Sequence, residues 1–254
     1  MLNIILPSLP YQRVVDPMWQ EEMDVAQRLG HTVGLFDSEQ EKLYQSPNSH
    51  YPSLYRGWML TGSEYQKLES LTPLLVPVAM YLASHRADGW YPAIADFTPK
   101  SYFVPSDERG GTLSLIRRHG GSFIKGASKS FGADSYVYSL VELEHLLKKH
   151  AVDPNDYLFV RELIKLSDQS EQRFFVVHNH AFGASRQPFP AALAPALAAL
   201  QSRCFYTVDV AYTAAGQPII IEIGDGQVSD TKEWSVTTLY ETAISCLANT
   251  KSVA

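Results

Sequence analysis

The chain has 254 residues, of which 45% are hydrophobic and 19% are charged. This composition excludes an intrinsically disordered protein and provides enough apolar material for one large domain or two smaller ones. The formal net charge of −6 argues against nonspecific binding to long nucleic acid, although it allows a local basic groove.

We expect a cytoplasmic protein without a membrane partner. No apolar run approaches the length of about 20 residues that a membrane span needs. The first residues, Met1–Pro7, lack the basic start of a signal peptide and are typical of a first strand. Cys204 and Cys246 have no metal-ligand spacing, so we expect free thiols in a reducing compartment.

The first hundred residues alternate between strand and helix patterns. The predicted elements are a strand over 3–6, a helix over 17–29, a strand over 31–36, a loop over 38–52, a strand over 54–60, and short helices over 73–83 and 87–95. The strand–helix–strand order predicts a parallel pair with a right-handed crossover. Thr61 and Glu64 add a capped helix start after the third strand.

After residue 97 the pattern changes to strands that pair locally. The predicted elements are strands over 101–104, 121–126, 135–138, 157–163 and 173–179, helices over 107–119, 140–150 and 191–202, a hairpin over 205–224, and a closing helix over 231–248. The sequence therefore predicts a mixed α/β fold with a parallel N-terminal unit and antiparallel pairs later.

Three acids lie in the apolar hairpin near the C-terminus or directly after it: Asp209, Glu222 and Asp225. Burying carboxylates among Val and Ile is costly unless a cation or a set of hydrogen bonds compensates them. Mg²⁺ suits such a site, because it takes one or two carboxylates together with substrate phosphates. The alternative is an edge hairpin whose acids are solvated.

Lys125 ends an apolar strand and precedes a loop of small residues over 126–132, which includes Lys129. Small residues allow backbone N–H groups to approach a phosphate closely, and a lysine supplies the compensating charge. The pattern predicts a phosphate site. The alternative is a hairpin turn with solvated lysines.

A further nucleotide site is predicted around the strand over 160–164. An unpaired strand backbone beside an apolar wall can bond the edge of adenine, with Glu162 accepting from the amino group or the ribose. Glu171 and Arg173 follow and can hold ribose and phosphate. The alternative is a plain sheet strand with a surface Arg–Glu pair, which contributes little to stability.

Two other groups have an open interpretation. Arg56 lies inside an apolar strand, so it needs an anionic partner, which is either a substrate phosphate or carboxylate or a structural acid such as Glu64. His178 and His180 alternate along a predicted strand and point to one face. Without further ligands nearby, we interpret them as surface or core histidines and not as zinc ligands.

Taken in order, these motifs resemble the ATP-grasp superfamily. The resemblance is carried by Lys100, by Lys125, by the hinge Arg161–Ile164, and by Asp209 with Glu222. The segments Glu222–Ser229 and Tyr55–Leu60 resemble the clade characterised by two arginines and a lysine. One departure is that Asp225 stands, one residue later, where the superfamily has the asparagine of a Glu-x-Asn pair.

The resemblance implies an ATP-grasp fold of the α/β (α+β) class. A parallel α/β domain over 1–97 would precede an ATP-grasp domain over 98–254. In the second domain a lid subdomain (about 100–160) and a C-terminal subdomain (about 161–254) would sandwich ATP.

The resemblance also implies an ATP- and Mg²⁺-dependent carboxylate–amine ligase that acts through an acyl phosphate on small-molecule or peptide substrates. The implied assignments are Lys100, Lys125 and Lys129 for ATP phosphates, Glu162, Leu163, Ile164 and Glu171 for adenine and ribose, Asp209, Glu222 and Asp225 for Mg²⁺, and Arg56, Arg173 and Lys125 for catalysis. Two alternatives stay open: an ATP-binding module that modifies or senses a macromolecule, and a kinase-like phosphotransferase.

Overall fold

The structure, a computed structural model, describes residues 1–249, whose strands form three four-stranded sheets. We name them the N-terminal, middle and C-terminal sheets. Among the described residues, no helix is both long enough and apolar enough to cross a bilayer. The predicted boundaries after residue 97 and near residue 160 remain predictions.

The N-terminal sheet is built mainly from parallel strands. Its elements and the helices that follow are β1 (Asn3–Pro7), α1 (Gln20–Arg28), β2 (Thr32–Asp37), β3 (Lys42–Tyr44), β4 (Ser53–Tyr55), α2 (Gly62–Leu71), α3 (Val78–His85) and α4 (Ala87–Ile94). The order is β3-β2-β1-β4, with β1 parallel to both β2 and β4. The predicted parallel pair is therefore confirmed.

Two predictions about this sheet are wrong. The polar stretch over 38–52 contains β3, a short strand antiparallel to β2, which its polar composition hides. The third strand ends at Tyr55 instead of residue 60, because the chain turns toward the C-terminal sheet. The N–H of Gly57 donates there to the carbonyl of Gln227 at 3.1 Å.

The middle sheet is antiparallel throughout, with the order β5-β8-β6-β7. Its elements are β5 (Ser101–Pro105), α5 (Arg109–His119), β6 (Ser122–Lys125), β7 (Tyr136–Val137), α6 (Leu140–Lys149) and β8 (Tyr157–Glu162). Ile124 and Val160 pack with residues of α5 and α6 in one apolar cluster. Because side chains alternate along a strand, Lys125 and Arg161 point to the opposite face, here called the inner face.

The C-terminal sheet is also antiparallel, with the order β10-β9-β11-β12. Its elements are β9 (Gln172–Val177), β10 (His180–Gly183), α7 (Ala194–Ala199), β11 (Phe205–Tyr212), β12 (Pro218–Asp225), α8 (Val236–Leu239) and α9 (Ser245–Asn249), with a π-helical turn at Tyr240–Ile244 between the last two. The predicted hairpin is β11–β12.

His178 and His180 do not alternate along one strand, so that prediction is wrong. His178 and Asn179 form the two-residue turn between β9 and β10, with φ of 44° and 68°. Positive φ at both central residues is typical of the tightest β-hairpin turns. Only His180 lies in a strand.

Packing of the C-terminal sheet brings the two antiparallel sheets together. One of its faces packs with α4, α7 and Phe159 of the middle sheet, and the other with the terminal helices and the N-terminal sheet. The edge strand β12 consequently meets the inner face of the middle sheet, where the guanidinium Nη1 of Arg161 donates to the carbonyl of Ile221 at 2.6 Å. This contact closes one side of a cleft.

Candidate active site

Three predicted site residues form a row across the C-terminal sheet. Asp209 in β11 lies directly opposite Arg173 in β9 and directly opposite Glu222 in β12. Residues paired in this way project from the same face of a sheet. The sheet register therefore brings together two of the three predicted metal ligands and one predicted catalytic arginine.

The carboxylate of Asp209 is held by two cations. Arg173 binds it with both oxygens, through Nε to Oδ1 at 2.8 Å and Nη2 to Oδ2 at 2.7 Å, and the Nζ of Lys232 lies 2.8 Å from Oδ2. Burial alone would raise the pKa of Asp209, but the hydrogen bonds and charges of Arg173 and Lys232 outweigh it and lower that pKa. Asp209 is therefore an anion at neutral pH.

Lys232 is a site residue that the sequence did not reveal. It lies in the connection between β12 and α8 and also bonds the carboxylate of Glu171, the predicted ribose ligand. Its segment has the composition of a polar loop, and neither composition nor spacing shows that it folds back over β11. Only its position beside Glu171 and Asp209 indicates a role.

Lys125 and Glu222 join the middle and C-terminal sheets through an ion pair. Lys125 is buried, so it is not the solvated lysine of the alternative interpretation, and the side chain of Glu222 is 37% exposed. The following loop folds back on itself, since the N–H of Gly126 donates to the carbonyl of Lys129 at 2.9 Å. The side chain of Lys129 is exposed.

The predicted adenine hinge follows β8 directly. Leu163 and Ile164 are half-buried. Glu162 donates its backbone N–H to the carbonyl of Lys100 at 2.9 Å, and its carboxylate lies 3.2 Å from the Nε2 of His119. The exposed side chain of Lys100 reaches over the ring of Tyr102. The phosphate contacts of Lys100 and Lys129 stay predictions.

Arg56 has a different environment from the one that a substrate ligand needs. It is fully buried and forms a two-pronged ion pair with Glu22, in which Nε lies 3.0 Å from Oε2. Its Nη1 donates to the carbonyls of Gly226 and Ser229 at 2.7 and 3.0 Å. With every donor nitrogen engaged, the predicted catalytic role finds no open donor. The structural acid is Glu22 and not Glu64, which caps α2 instead.

Asp225 does not join the other two predicted metal ligands. It is fully buried, its Oδ1 accepts from the backbone N–H of Gln227 at 2.9 Å, and its Oδ2 has no hydrogen-bond partner among the described residues. Burial raises the pKa of this carboxyl to about 7. Within residues 1–249, no three His, Cys, Asp or Glu side chains are grouped as a metal site. The metal assignment of Asp225 thus has no support from this geometry.

The remaining donor set fits a magnesium–nucleotide complex. Asp209 and Glu222 supply two carboxylates on one face, which matches the number that Mg²⁺ takes alongside substrate phosphates. Lys125 lies against Glu222 and supplies the positive charge that a phosphate needs. Lys232 would have to leave Asp209 for an ion to reach that oxygen.

Solved structures with this architecture cover nearly the whole chain. D-cycloserine synthetase DcsG has a TM-score of 0.69 at 14% identity, covering 97% of this chain and 99% of that one. Macrocyclase MdnC from Microcystis aeruginosa has a TM-score of 0.62 at 12% identity, covering 98% and 100%. D-alanyl-alanine synthetase A from Vibrio cholerae has 0.61 at 12%, covering 98% of both chains. At these identities the likeness shows the fold alone.

Sequence comparison identifies the family. No curated protein matches the chain significantly. A family model for the ATP-grasp domain, family 3 of the clade characterised by two arginines and a lysine, matches residues 54–245, which is well over half of the chain. The resemblance inferred from the lysines, the hinge and the C-terminal acids is confirmed, and the chain belongs to this third family of that ATP-grasp clade.

Proposed function

We propose that this protein is an ATP- and Mg²⁺-dependent ligase that joins a carboxylate to an amine. The observation that carries the proposal is the row of Arg173, Asp209 and Glu222 beside Lys125, because it combines paired carboxylates with cations in one cleft. Bound Mg²⁺ would neutralise developing phosphate charge, and transfer of a phosphoryl group needs little else from the protein.

Each part of the cleft has a proposed task. Asp209 and Glu222 hold the metal ion, and Lys100, Lys125 and Lys129 hold the phosphates of ATP. Glu162, Leu163, Ile164 and Glu171 hold adenine and ribose. The substrate carboxylate attacks the γ-phosphate to give an acyl phosphate and ADP, and an amine then displaces phosphate. Arg173 lies beside the metal ligands, where its charge can stabilise the acyl phosphate.

Similar folds support the substrate class. Among the solved structures that resemble this chain, two are described as synthetases of small molecules built on amino acids, and one as a macrocyclase bound with a precursor peptide. We therefore propose a small-molecule or peptide carboxylate and an amine as the substrates.

The test is incubation of the protein with ATP, Mg²⁺ and panels of acids and amines, with the nucleotide products separated. We expect ADP and phosphate in proportion to the condensed product. Glu222→Gln should lower the rate at least about a hundredfold, because a metal ligand is lost. Glu241→Gln, on the exposed side of the terminal helices, is the matched control and should leave it unchanged.

Other products would contradict the proposal in distinct ways. AMP and pyrophosphate would exclude an acyl phosphate. A phosphorylated product without condensation would identify a kinase-like transfer. Binding of ATP without turnover over the whole panel would favour a binding module that acts on a macromolecule.

A further inference from the structure

Arg161 is a buried cation that the residue assignments above do not use. It lies in β8 between β5 and β6, is 6% exposed, and projects from the inner face of the middle sheet toward β12. Lys125 projects from the same face on the neighbouring strand, where Phe123 is opposite Arg161 and Lys125 is opposite Phe159. The two cations are therefore diagonal neighbours in the cleft.

All hydrogen-bond partners of Arg161 within the described residues are neutral. Nη1 donates to the carbonyl of Ile221 at 2.6 Å, and Nε and Nη2 reach the hydroxyls of Ser101 and Thr98, each at 3.3 Å. The other buried cations that border the site differ in this respect. Lys125 is paired with Glu222 and Arg173 with Asp209.

A buried guanidinium without a counter-ion is costly, because its charge loses water and gains no opposite charge. Burial lowers the pKa of Arg161 to about 10. Arg203 also lacks a carboxylate, but it donates to the helix carbonyls of Ala83 and Gly89 at 3.0 and 2.8 Å. Ala83 lies in the last turn of α3, where the helix dipole favours a cation. The chain therefore compensates Arg203 and leaves Arg161 uncompensated.

We propose that Arg161 binds a phosphate group of the nucleotide and completes, with Lys125, a two-cation phosphate site on the inner face. Diagonal neighbours in an antiparallel pair are about 7–8 Å apart, a spacing that one polyphosphate chain bridges with long side chains. A guanidinium suits this task because its planar donors match two oxygens of a phosphate. This inference rests on the proposed function, since it takes ATP to be the ligand of the cleft.

The test is a set of binding constants for Arg161→Gln, measured by calorimetry with ATP, ADP and adenosine. Losing a charged hydrogen bond should weaken binding of ATP about tenfold to a hundredfold. Adenosine carries no phosphate, so its affinity should change less than about twofold. The thermal midpoint should stay unchanged or rise, since the variant no longer buries an uncompensated charge.

Arg203→Gln is the matched control, because it removes a second buried arginine that has no carboxylate partner and lies outside the cleft. It should leave the affinity for ATP unchanged and lower the thermal midpoint, since two helix carbonyls lose their donor. Arg161→Lys keeps the charge without the planar fork and should recover part of the affinity for ATP.

Three results would overturn the inference. The first is unchanged binding of ATP by Arg161→Gln. The second is an equal loss of ATP and adenosine binding together with a lower thermal midpoint. The third is an Arg161→Gln variant that does not fold while Arg161→Lys folds with the wild-type preference for ATP over adenosine and wild-type affinity. Wild-type protein that binds no nucleotide would overturn the inference and the proposed function together. An effect on ATP binding with no ligase product would support the inference while the ligase proposal fails.

Discussion

Asp209 is an ionised carboxylate whose two counter-ions are unequally buried. The side chain of Arg173 is 10% exposed, whereas that of Lys232 is 30% exposed and belongs to a connecting loop. The more exposed cation needs less rearrangement to move away. Lys232 therefore occupies the oxygen of Asp209 that Mg²⁺ would take.

We predict that Lys232→Gln raises the affinity of the nucleotide-free protein for Mg²⁺. A partly exposed ion pair is worth about 1 kcal/mol, so the gain should be about fivefold. Titration with Mg²⁺ by calorimetry measures it. Lys149→Gln, which removes a lysine from a surface pair with Asp134, is the control and should have no effect. A weaker affinity for Mg²⁺ in Lys232→Gln would show that Lys232 does not compete with the ion.

Asp225 predicts a dependence of stability on pH. Burial raises the pKa of its carboxyl from 3.8 to about 7, against the opposing hydrogen bonds from Gln227. The folded protein therefore holds a proton that the unfolded chain releases. This stabilisation is complete below about pH 4 and is lost as the pH rises to about 7, by about 4 kcal/mol in total at ~1.4 kcal/mol per pKa unit.

The variant Asp225→Asn removes this titration and keeps a neutral side chain of the same shape. We expect its free energy of unfolding to gain on that of the wild type as the pH rises from about 4 to about 7. Urea denaturation at several pH values measures the difference. Asp107→Asn, an exposed carboxylate, is the control and should follow the wild type. Parallel curves for Asp225→Asn and the wild type would contradict the prediction.

At the scale of elements, the turn between α5 and β6 supports the predicted adenine hinge. Gly120 and Gly121 both have positive φ, at 68° and 136°. A Cβ on Gly120 would meet nothing within 4 Å, whereas one on Gly121 would lie 2.8 Å from Cδ1 of Leu163 and 2.5 Å from the ring of Tyr138. The turn therefore sets how closely Leu163 approaches the middle sheet.

We predict that Gly121→Ala weakens adenosine binding about tenfold and that Gly120→Ala does not. Both variants strain a left-handed backbone position, which costs of the order of 1 kcal/mol or more. Only Gly121→Ala displaces Leu163, the proposed contact of adenine. Calorimetry with adenosine separates the two effects, and thermal unfolding records the strain that they share. Equal adenosine affinities in the two variants would remove Leu163 from the adenine site.

At the scale of the whole molecule, one buried ion pair connects distant parts of the chain. Arg56 follows β4 in the N-terminal sheet and binds Glu22 of α1. Glu22 also accepts from the hydroxyl of Tyr240, in the terminal helices, at 2.9 Å. Through the carbonyls of Gly226 and Ser229, Arg56 holds the connection that follows β12. The position of β12, and hence of Glu222, depends on this pair.

We predict that Arg56→Met destabilises the protein by about 3–5 kcal/mol, because Glu22 is left buried without its counter-ion. The double variant with Glu22→Met should lose less than the sum of the two single changes. Chemical denaturation measures all three. Arg86→Met breaks an exposed pair with Asp88 and should cost less than about 1 kcal/mol. An Arg56→Met variant as stable as Arg86→Met, yet without activity, would restore the substrate role for Arg56.

Much of the fold was predictable because its signals are local. The helix start at Thr61 has a complete capping box, and the hairpin over 205–224 has the expected turn with Gly216 at φ 78°. The strands β3 and β10 were missed, since each pairs along only a few residues that are not alternately apolar. The left-handed turn at His178 was missed because neither His178 nor Asn179 is a glycine.

The sequence alone determined the family, the order of its motifs and the identity of the acids and cations, since these are properties of the chain read from end to end. Tertiary structure decided which of them meet. Lys125 and Glu222 are 97 residues apart and Arg173 and Asp209 are 36 apart. Such pairs depend on sheet register and on the packing of one sheet against another, which no local pattern encodes. The same packing turned Arg56 and Asp225 inward and brought Lys232 and Arg161 to the cleft.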